Sequence, residues 1–336
     1  PSDSIESAAA PTLDDSRWEA VRVPHTWERR DSRTYRRAWY RTRFASPWAA
    51  TDGRVFLGFD GAATIADVYL NGHLLGQHRG AYTRFVFDVT DHLAESGRDN
   101  VLAVRVSNDP SETTDCLPSG TEKALYRVYG GLYRKVWLLR TGLIHVDPTD
   151  HGGSGVTFRT SSVDAGSARY SAAVQLRSRA TAPRDVTVRA VVVDSSGRRS
   201  DSQAVERRLE SLATTTVTLE GTVANPRLWG PGHPELYDLH VELWLGDRIA
   251  DRVSQKVGFR DFRLRAGRFL LNGQPILIRG VGKHQETETA ASAISDGDIE
   301  EDFANLADLG VSMVRLAHYP HAPLAYDLAD RLGILV

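Results

Sequence analysis

The sequence has few of the residues that would identify several common protein classes. It contains a single cysteine, Cys116, so an intramolecular disulfide framework is excluded and the redox compartment stays open. We interpret Cys116 as an ordinary loop thiol. Its apolar runs are far shorter than the roughly 20 residues that a bilayer helix needs. These absences predict a soluble globular chain, and both a cytoplasmic and a secreted location remain open.

Charge of one sign is also lacking. The 336 residues carry 41 basic and 43 acidic side chains, for a formal net charge of −2, so the composition indicates neither a nucleic-acid nor a membrane partner. We find no glycine-rich phosphate loop, no Cys/His ligand cluster and no nucleophile-elbow serine in the sequence. Nucleotide, metal and serine-hydrolase functions are therefore disfavoured, and no metal ligands are predicted.

The first part of the chain, residues 1–146, shows short alternating segments separated by turn residues. "WYRTRF", "RVFLGF", "TRFVFDVT" and "NVLAVRVSN" have the period of half-buried strands, and Asn71 with Gly72 has the composition of a two-residue hairpin turn. We predict an antiparallel, jelly-roll-like β-sandwich. Residues 147–258 repeat the pattern with fewer aromatics, as in "DVTVRAVVVD" and "LYDLHVELWLG". They predict a second, immunoglobulin-like sandwich.

The pattern changes in residues 259–336. A hairpin and a buried strand in "FLLNGQPILIRGVGKH" are followed by a helix closing at Gly310, a strand in "VSMVRLAHY", a helix closing at Gly333, and the apolar "ILV". Alternating strands and helices with short connections predict the start of a (β/α)8 TIM barrel, with two of its eight units present. We expect a truncated barrel, and because the chain starts with Pro1 we also expect residues upstream.

Three side chains fall at the predicted strand ends, where barrel enzymes carry their reactive groups. These are His284 after one strand, and Arg315 and His318 at the next. Each could instead be a structural residue, but three such groups on one rim favour binding of a polyhydroxylated ligand. Gln285 and Glu286 are candidate supporting groups. We interpret Glu288 as a solvated loop residue.

The motifs together resemble those of glycoside hydrolase family 2, the β-galactosidase and β-glucuronidase family. "DDSRWEAVRVPHTW", "FDGAATIADVYLNGHLLGQHRGAYTRFVFDVTDHL" and "YGGLYRKVWLL" resemble its sugar-binding sandwich. "LWGPGHPELYDL" and "VGFRDF" resemble the end of its immunoglobulin-like domain, and "FLLNGQPILIRGVGKHQE" with "VRLAHYPH" resembles the opening of its barrel. The resemblance covers nearly the whole chain in the same order.

The resemblance implies an exo-acting, retaining β-glycosidase in which His284, Arg315 and His318 line the subsite for the terminal sugar. It implies β-galactosides as the first choice of substrate, with β-glucuronides or β-mannosides as alternatives. The acid/base and nucleophile glutamates would lie beyond Val336, so no catalytic residue is expected in this chain. No cofactor is expected, although the full-length enzyme could use a divalent cation or sodium.

One departure from the family pattern affects the expected substrate contacts. Galactosidase-like relatives often carry an aspartate shortly before the Tyr-Gly-Gly segment, where this chain has Leu125. The contact could move to Asp115, Glu122 or Lys123, and we take Asp115 and Glu286 as further candidate substrate ligands. The expected partner is a carbohydrate substrate, and a homo-oligomer remains open. The competing hypothesis is a non-catalytic carbohydrate-binding protein built from the two sandwiches.

Overall fold

The computed structural model describes residues 8–28, 35–46, 48, 53–95, 98–113, 116, 126–164 and 166–336. These residues form two compact units. The first contains the described residues up to Arg140 together with His284–Ile299 and Ala317–Ala322, and the second contains Thr141–Lys283, Glu300–Leu316 and Pro323–Val336. None of the helices in this part of the chain has both the length and the apolar character required to cross a bilayer.

Seven strands of the first unit form two antiparallel sheets. One sheet has the order β1-β6-β3-β4 and the other the order β5-β2-β7. A 3₁₀ turn at Thr90–His92 lies between β5 and β6, and a short helix, α1 at Pro110–Thr113, lies between β6 and β7. The strands are β1 (Arg37–Ala45), β2 (Arg54–Phe59), β3 (Ile65–Leu70), β4 (His73–Arg79), β5 (Phe85–Asp88), β6 (Asp99–Ser107) and β7 (Val136–Thr141).

The alternation seen in the sequence builds the core between these sheets. Every second residue of β2, β3 and β6 points inward, because successive side chains of a strand face opposite sides. The inward set is Val55, Leu57, Phe59, Ala66, Val68, Leu70, Leu102, Val104 and Val106, all of them buried. The predicted first sandwich is confirmed.

The turn between β3 and β4 forms at the predicted dipeptide. Asn71 and Gly72 have φ values of 52° and 84°, the left-handed pair that a type I′ hairpin turn requires. The amide of Asn71 also donates to Asn100 Oδ1 at 2.9 Å, which ties the turn to β6.

The second unit contains a further sandwich of nine strands. One sheet runs β14-β10-β8 with β9 also paired to β10, and the other runs β12-β11-β15-β16 with β13 also paired to β11. The strands are β8 (Ile144–Val146), β9 (Val156–Val163), β10 (Ser167–Ser178), β11 (Arg184–Val193), β12 (Arg199–Asp201), β13 (Val205–Leu209), β14 (Thr214–Ala224), β15 (Tyr237–Leu245) and β16 (Arg248–Val257). The predicted second sandwich is confirmed.

Aromatic rings fill one part of this second core. Tyr170 and Phe259 are almost fully buried, and Phe158 stacks on Tyr170 with ring centroids 5.3 Å apart. Gly221 on the neighbouring strand lies under the Tyr170 ring, where a Cβ atom would come within 2.4 Å of it. The glycine is required there because the ring occupies the space of a side chain.

The remaining elements have the alternating order of a βα barrel. A small antiparallel sheet of β17 (Phe262–Arg265), β18 (Arg268–Leu271) and β19 (Gln274–Pro275) precedes the parallel pair β20 (Gly280–Lys283) and β21 (Met313–Leu316). Helix α2 (Asp296–Asp308) connects the parallel strands, and α3 (Pro323–Leu332) follows β21. Leu335 makes a parallel bridge to Met313 in the expected third position. The start of a TIM barrel is confirmed.

Strand β20 differs from the buried strand that the sequence predicted. Val281 is 38% exposed and Leu277, just before the strand, is 79% exposed. Within the described chain β20 pairs only with β21, so one of its edges and much of its surface remain open. The module limits near residues 146 and 258 stay predictions.

Candidate functional site

Two histidines lie on the loops that follow the parallel strands. His284 comes directly after β20, and His318 comes two residues after the end of β21. The carboxyl ends of parallel strands meet at one edge of a sheet, so both loops leave from the same side. The imidazole centroids are 5.2 Å apart and the rings meet edge to face. Their proximity agrees with the prediction, and their proposed role in sugar binding stays a prediction.

Tyrosine rings surround this histidine pair. Tyr126 stacks on His318 at 5.8 Å, and Tyr319 meets His284 edge to face at 5.9 Å. Tyr82 stacks on Tyr319 with centroids 4.3 Å apart. Burial raises the pKa of Tyr319 to about 12, so this phenol stays neutral at physiological pH. The cluster therefore combines apolar ring faces with hydroxyl and imidazole hydrogen-bonding groups, a combination suited to a sugar.

Gln285 joins the two histidine loops. Its side chain is buried, and its Oε1 accepts a 2.6 Å hydrogen bond from the backbone N–H of Ala322, just before α3. Its own backbone N–H donates to the hydroxyl of Tyr319 at 3.1 Å. The residue after His284 is thus bonded to the residue after His318, which restrains both imidazoles.

Arg134, which precedes β7 of the first sandwich, donates hydrogen bonds to both histidine loops. Its Nη2 donates to the carbonyl of Pro320 at 2.7 Å and to Gln285 Oε1 at 3.3 Å. Its Nη1 donates to the carbonyl of Tyr82 at 2.8 Å. The residue is only 4% exposed. One guanidinium therefore bonds both histidine loops and the Tyr82 segment of the sandwich.

Glu286 forms a second link between a histidine loop and the sandwich. The Tyr129 hydroxyl donates to its Oε2 at 2.7 Å. Burial, followed by the hydrogen bond to Glu286, raises the pKa of the Tyr129 phenol well above its usual range. The phenol is therefore a permanent donor, and the Glu286 carboxylate faces it as an acceptor.

The "YGGLYR" segment that carries Tyr129 and Arg134 follows a path that demands glycine. Gly131 has a φ of 133°, and a Cβ atom there would lie 2.4 Å from the carbonyl oxygen of His25. Tyr133 is anchored by its hydroxyl, which donates to the carbonyl of Ala81 at 2.6 Å. Gly130 and Gly131 let the backbone approach Trp27 and His25 closely. The residues that follow can then reach the two histidine loops.

The other predicted site residues have different surroundings. Arg315 lies within β21, belongs to the second unit and has an exposed side chain, and Glu288 is exposed, as expected for a solvated loop residue. Asp115, Glu122, Lys123 and Leu125 lie outside the described residues. Within the described ranges no three His, Cys, Asp or Glu side chains cluster in a way that could hold a metal ion.

Several residues of this arrangement were not singled out from the sequence. Arg134, Tyr129, Tyr82 and Tyr319 contribute bonds or rings that no local pattern assigned to a site. Arg134 and Tyr129 do fall in the "YGGLYRKVWLL" segment, and Tyr319 in "VRLAHYPH". The sequence thus showed that these residues belong to family motifs, but it gave no role to any one of them.

Comparison with protein families accounts for most of the chain. Residues 26–127 match a glycosyl hydrolase 2 galactose-binding domain-like family, residues 154–260 match glycosyl hydrolases family 2, and residues 262–336 match the family 2 TIM barrel domain. The three matches follow one another in the order of the two sandwiches and the βα segment. The chain belongs to glycosyl hydrolase family 2.

Individual members of family 2 resemble the chain over nearly its full length. A β-glucuronidase of Bacteroides fragilis is 33% identical over 328 residues, which is 94% of this chain and 45% of that protein. A β-galactosidase of Bacteroides ovatus is 33% identical over 98% of this chain and 38% of its own length. The chain therefore spans less than half the length of these curated relatives.

A solved structure gives the same result for the fold. The crystal structure of a Bacteroides uniformis β-glucuronidase superposes with a TM-score of 0.90 at 27% identity, covering 98% of this chain and 39% of that one. Family membership and fold thus agree between sequence and structure, while the named relatives differ in the sugar they act on.

Proposed function

We propose that the complete protein containing this chain is a glycoside hydrolase that removes terminal β-linked sugars, with β-D-galactosides as the first expected substrate. The observation that carries the proposal is the meeting of His284 and His318 at 5.2 Å, on loops that follow two successive parallel strands of a family 2 barrel segment. The two imidazoles, packed against the rings of Tyr126 and Tyr319, can donate hydrogen bonds to sugar hydroxyls and accept hydrogen bonds from them.

In this proposal the chain orients the sugar. His284 and His318 bind hydroxyls of the terminal residue, Arg315 adds a cationic donor from β21, and Glu286 accepts a further hydroxyl bond or orients its neighbours. Asp115 remains a candidate ligand. Retaining hydrolysis also needs two carboxyl groups about 5 to 5.5 Å apart, and we expect these in the portion of the protein that corresponds to the relatives' additional length.

β-D-Glucuronides are the second candidate substrate class. Several similar proteins are named β-glucuronidases, including those of Bacteroides fragilis and Bacteroides uniformis. A glucuronide carries a carboxylate on the sugar, so its recognition would call for a cationic side chain in the subsite. Arg315 offers that charge among the predicted site residues.

A panel of aryl β-glycosides tests the proposal on the complete protein. We expect turnover of the β-galactoside, or of the β-glucuronide if the second candidate holds, and a large loss in His284→Ala and His318→Ala. The matched control is His240→Ala, because His240 is a partly buried histidine of β15, on the second sandwich, bonded to Ser254 Oγ at 2.7 Å. Absence of turnover for every β-glycoside would favour the non-catalytic carbohydrate-binding alternative.

The 336-residue chain alone gives a second measurement. We expect it to turn over no aryl β-glycoside, since the acid/base and nucleophile carboxylates are assigned to the rest of the protein. Turnover that disappears in Glu286→Ala would contradict this assignment and would make Glu286 a reacting carboxylate.

A further inference from the structure

We propose that Arg134 is a positioning residue for the His284 and His318 pair, so that the first sandwich sets the geometry of the sugar subsite. The inference rests on the proposed function for its kinetic consequences. Its structural part stands on the hydrogen bonds of Arg134 alone.

The guanidinium fixes directions as well as distances. It is planar and rigid, with its N–H groups in a fixed fork. Nη2 reaches the Pro320 carbonyl and Gln285 Oε1, while Nη1 reaches the Tyr82 carbonyl and, at 3.4 Å, the Asp60 carbonyl. A change in the position of either histidine loop would therefore break a bond to a group that is itself anchored in the sandwich.

The burial of Arg134 argues that packing alone does not explain it. A buried charge is costly unless well compensated, and all the acceptors described for Arg134 are neutral oxygens. The guanidinium also lies over the Tyr133 ring at 5.1 Å. An apolar side chain could fill the same volume at lower electrostatic cost, but it could not hold two loops at fixed points.

Gln285 transmits the restraint to both histidines. Its Oε1 accepts from Arg134 and from the Ala322 N–H at once, and its backbone N–H bonds to the hydroxyl of Tyr319. His284 is bonded covalently to Gln285, and His318 to Tyr319. Loss of Arg134 leaves the Pro320 carbonyl without this donor and weakens the restraint on Gln285, so both imidazoles gain freedom.

Kinetics of the complete protein separate positioning from stability. We expect Arg134→Gln to lower kcat/KM by about tenfold or more, since displacements near 1 Å in a site can cost about a hundredfold. Arg134→Lys keeps the charge without the planar fork and should stay at least about fivefold below wild type. The free-energy losses of Arg134→Gln and Gln285→Ala should combine to less than their sum in the double variant, because both changes remove the bond between Arg134 and Gln285.

Arg54→Gln is the matched control. Arg54 is also largely buried in the first unit, where it pairs with Asp88 at 2.8 Å and Asp91 at 2.9 Å on the β5 side of the sandwich. The Arg54→Gln variant should have a lower midpoint of thermal unfolding, while its kcat/KM stays within about twofold of wild type, because Arg54 has no described bond to the histidine loops. An Arg134→Gln enzyme that behaves the same way, or full recovery in Arg134→Lys, would overturn the proposal.

Crystal structures of the complete wild-type protein and its Arg134→Gln variant supply a readout that needs no activity. We expect the His284 and His318 centroids to move from their 5.2 Å separation, or loop 317–322 to lose its fixed position. Unchanged loops would refute the positioning role even if the enzyme is active. A displaced pair in a protein that hydrolyses no β-glycoside would retain the positioning role and reject the proposed function.

Discussion

The hydroxyl of Tyr129 donates a 2.7 Å hydrogen bond to the carboxylate of Glu286, 157 positions further along the chain. Tyr129 is almost fully buried and Glu286 is half-buried. The bond joins the "YGGLYR" segment of the sandwich to the loop that begins with His284. It is therefore a measurable part of what holds that loop.

Removing this donor should destabilise the first unit. We expect Tyr129→Phe to cost about 1 to 2 kcal/mol, because hydrogen bonds to charged groups contribute more than neutral ones and the carboxylate loses its partner. The measurement is the urea unfolding midpoint at pH 7. Glu288→Gln is a control for a side-chain change in the same loop that leaves this bond in place, and it should change stability by less than about 0.5 kcal/mol because Glu288 is exposed. Equal midpoints for Tyr129→Phe and wild type would show that the bond contributes nothing net.

Gly131→Ala tests the close approach of the chain before β7. A Cβ atom would meet the His25 carbonyl oxygen at 2.4 Å, and the φ of 133° is one that L side chains rarely adopt. We expect a loss of about 2 to 3 kcal/mol from combined strain and overpacking, measured by urea unfolding. Gly297→Ala is the control, since its Cβ meets only ordinary contacts at the start of α2 and should be neutral or stabilising. Similar midpoints for the two variants would contradict the strain argument.

Tyr170→Phe tests an unpaired group in the second core. Among the described residues, the Tyr170 hydroxyl is buried without a hydrogen-bond partner, and burial raises its pKa to about 12. Deleting a buried unsatisfied hydroxyl should leave stability unchanged or raise it by about 1 kcal/mol. Thermal unfolding of the purified variant measures this. A clear loss would mean that the hydroxyl bonds to a water molecule or to a residue outside the described ranges.

Asp194 gives the second sandwich a defined pH dependence. Its carboxylate accepts from the Ser196 hydroxyl at 2.6 Å, from the backbone N–H groups of Ser196 and Arg198, and from the Arg198 side chain. These hydrogen bonds, the Ser196 hydroxyl first, lower the pKa of Asp194 to about 2. The folded state therefore binds this proton less readily than the unfolded chain, whose aspartate has a pKa of about 3.9.

The sign of the effect follows from that difference. The stabilisation is fully present above about pH 4 and is lost as the pH falls toward 2, so Asp194→Asn should be less stable than wild type at pH 7. The gap between their urea midpoints should narrow at pH 3. A gap that is constant or wider at pH 3 would show that the charge of Asp194 is not the source of the stabilisation.

The sequence by itself determined the elements and their class. Alternation with a period of two, the Asn71–Gly72 turn, and glycines at helix ends such as Gly310 and Gly333 depend on backbone geometry within a few residues, so they could be predicted locally. The sequence also predicted that His284, Arg315 and His318 share one rim, because parallel strands end on one edge; the two imidazoles lie 5.2 Å apart, and the roles of all three residues stay predictions. The predicted burial of β20 was wrong, since burial depends on neighbouring strands.

Tertiary structure decided how the histidine loops are held. Arg134 lies 151 positions from Gln285 and 186 from Pro320, and no pattern in its own segment shows that these acceptors will surround it. An arginine near a turn is usually solvated, and only the folded chain makes this one a buried donor. The same holds for Tyr129 and Glu286. Hydrogen bonds between distant segments form only once the backbone has brought those segments together. Their partners and geometry therefore cannot be predicted from the local sequence.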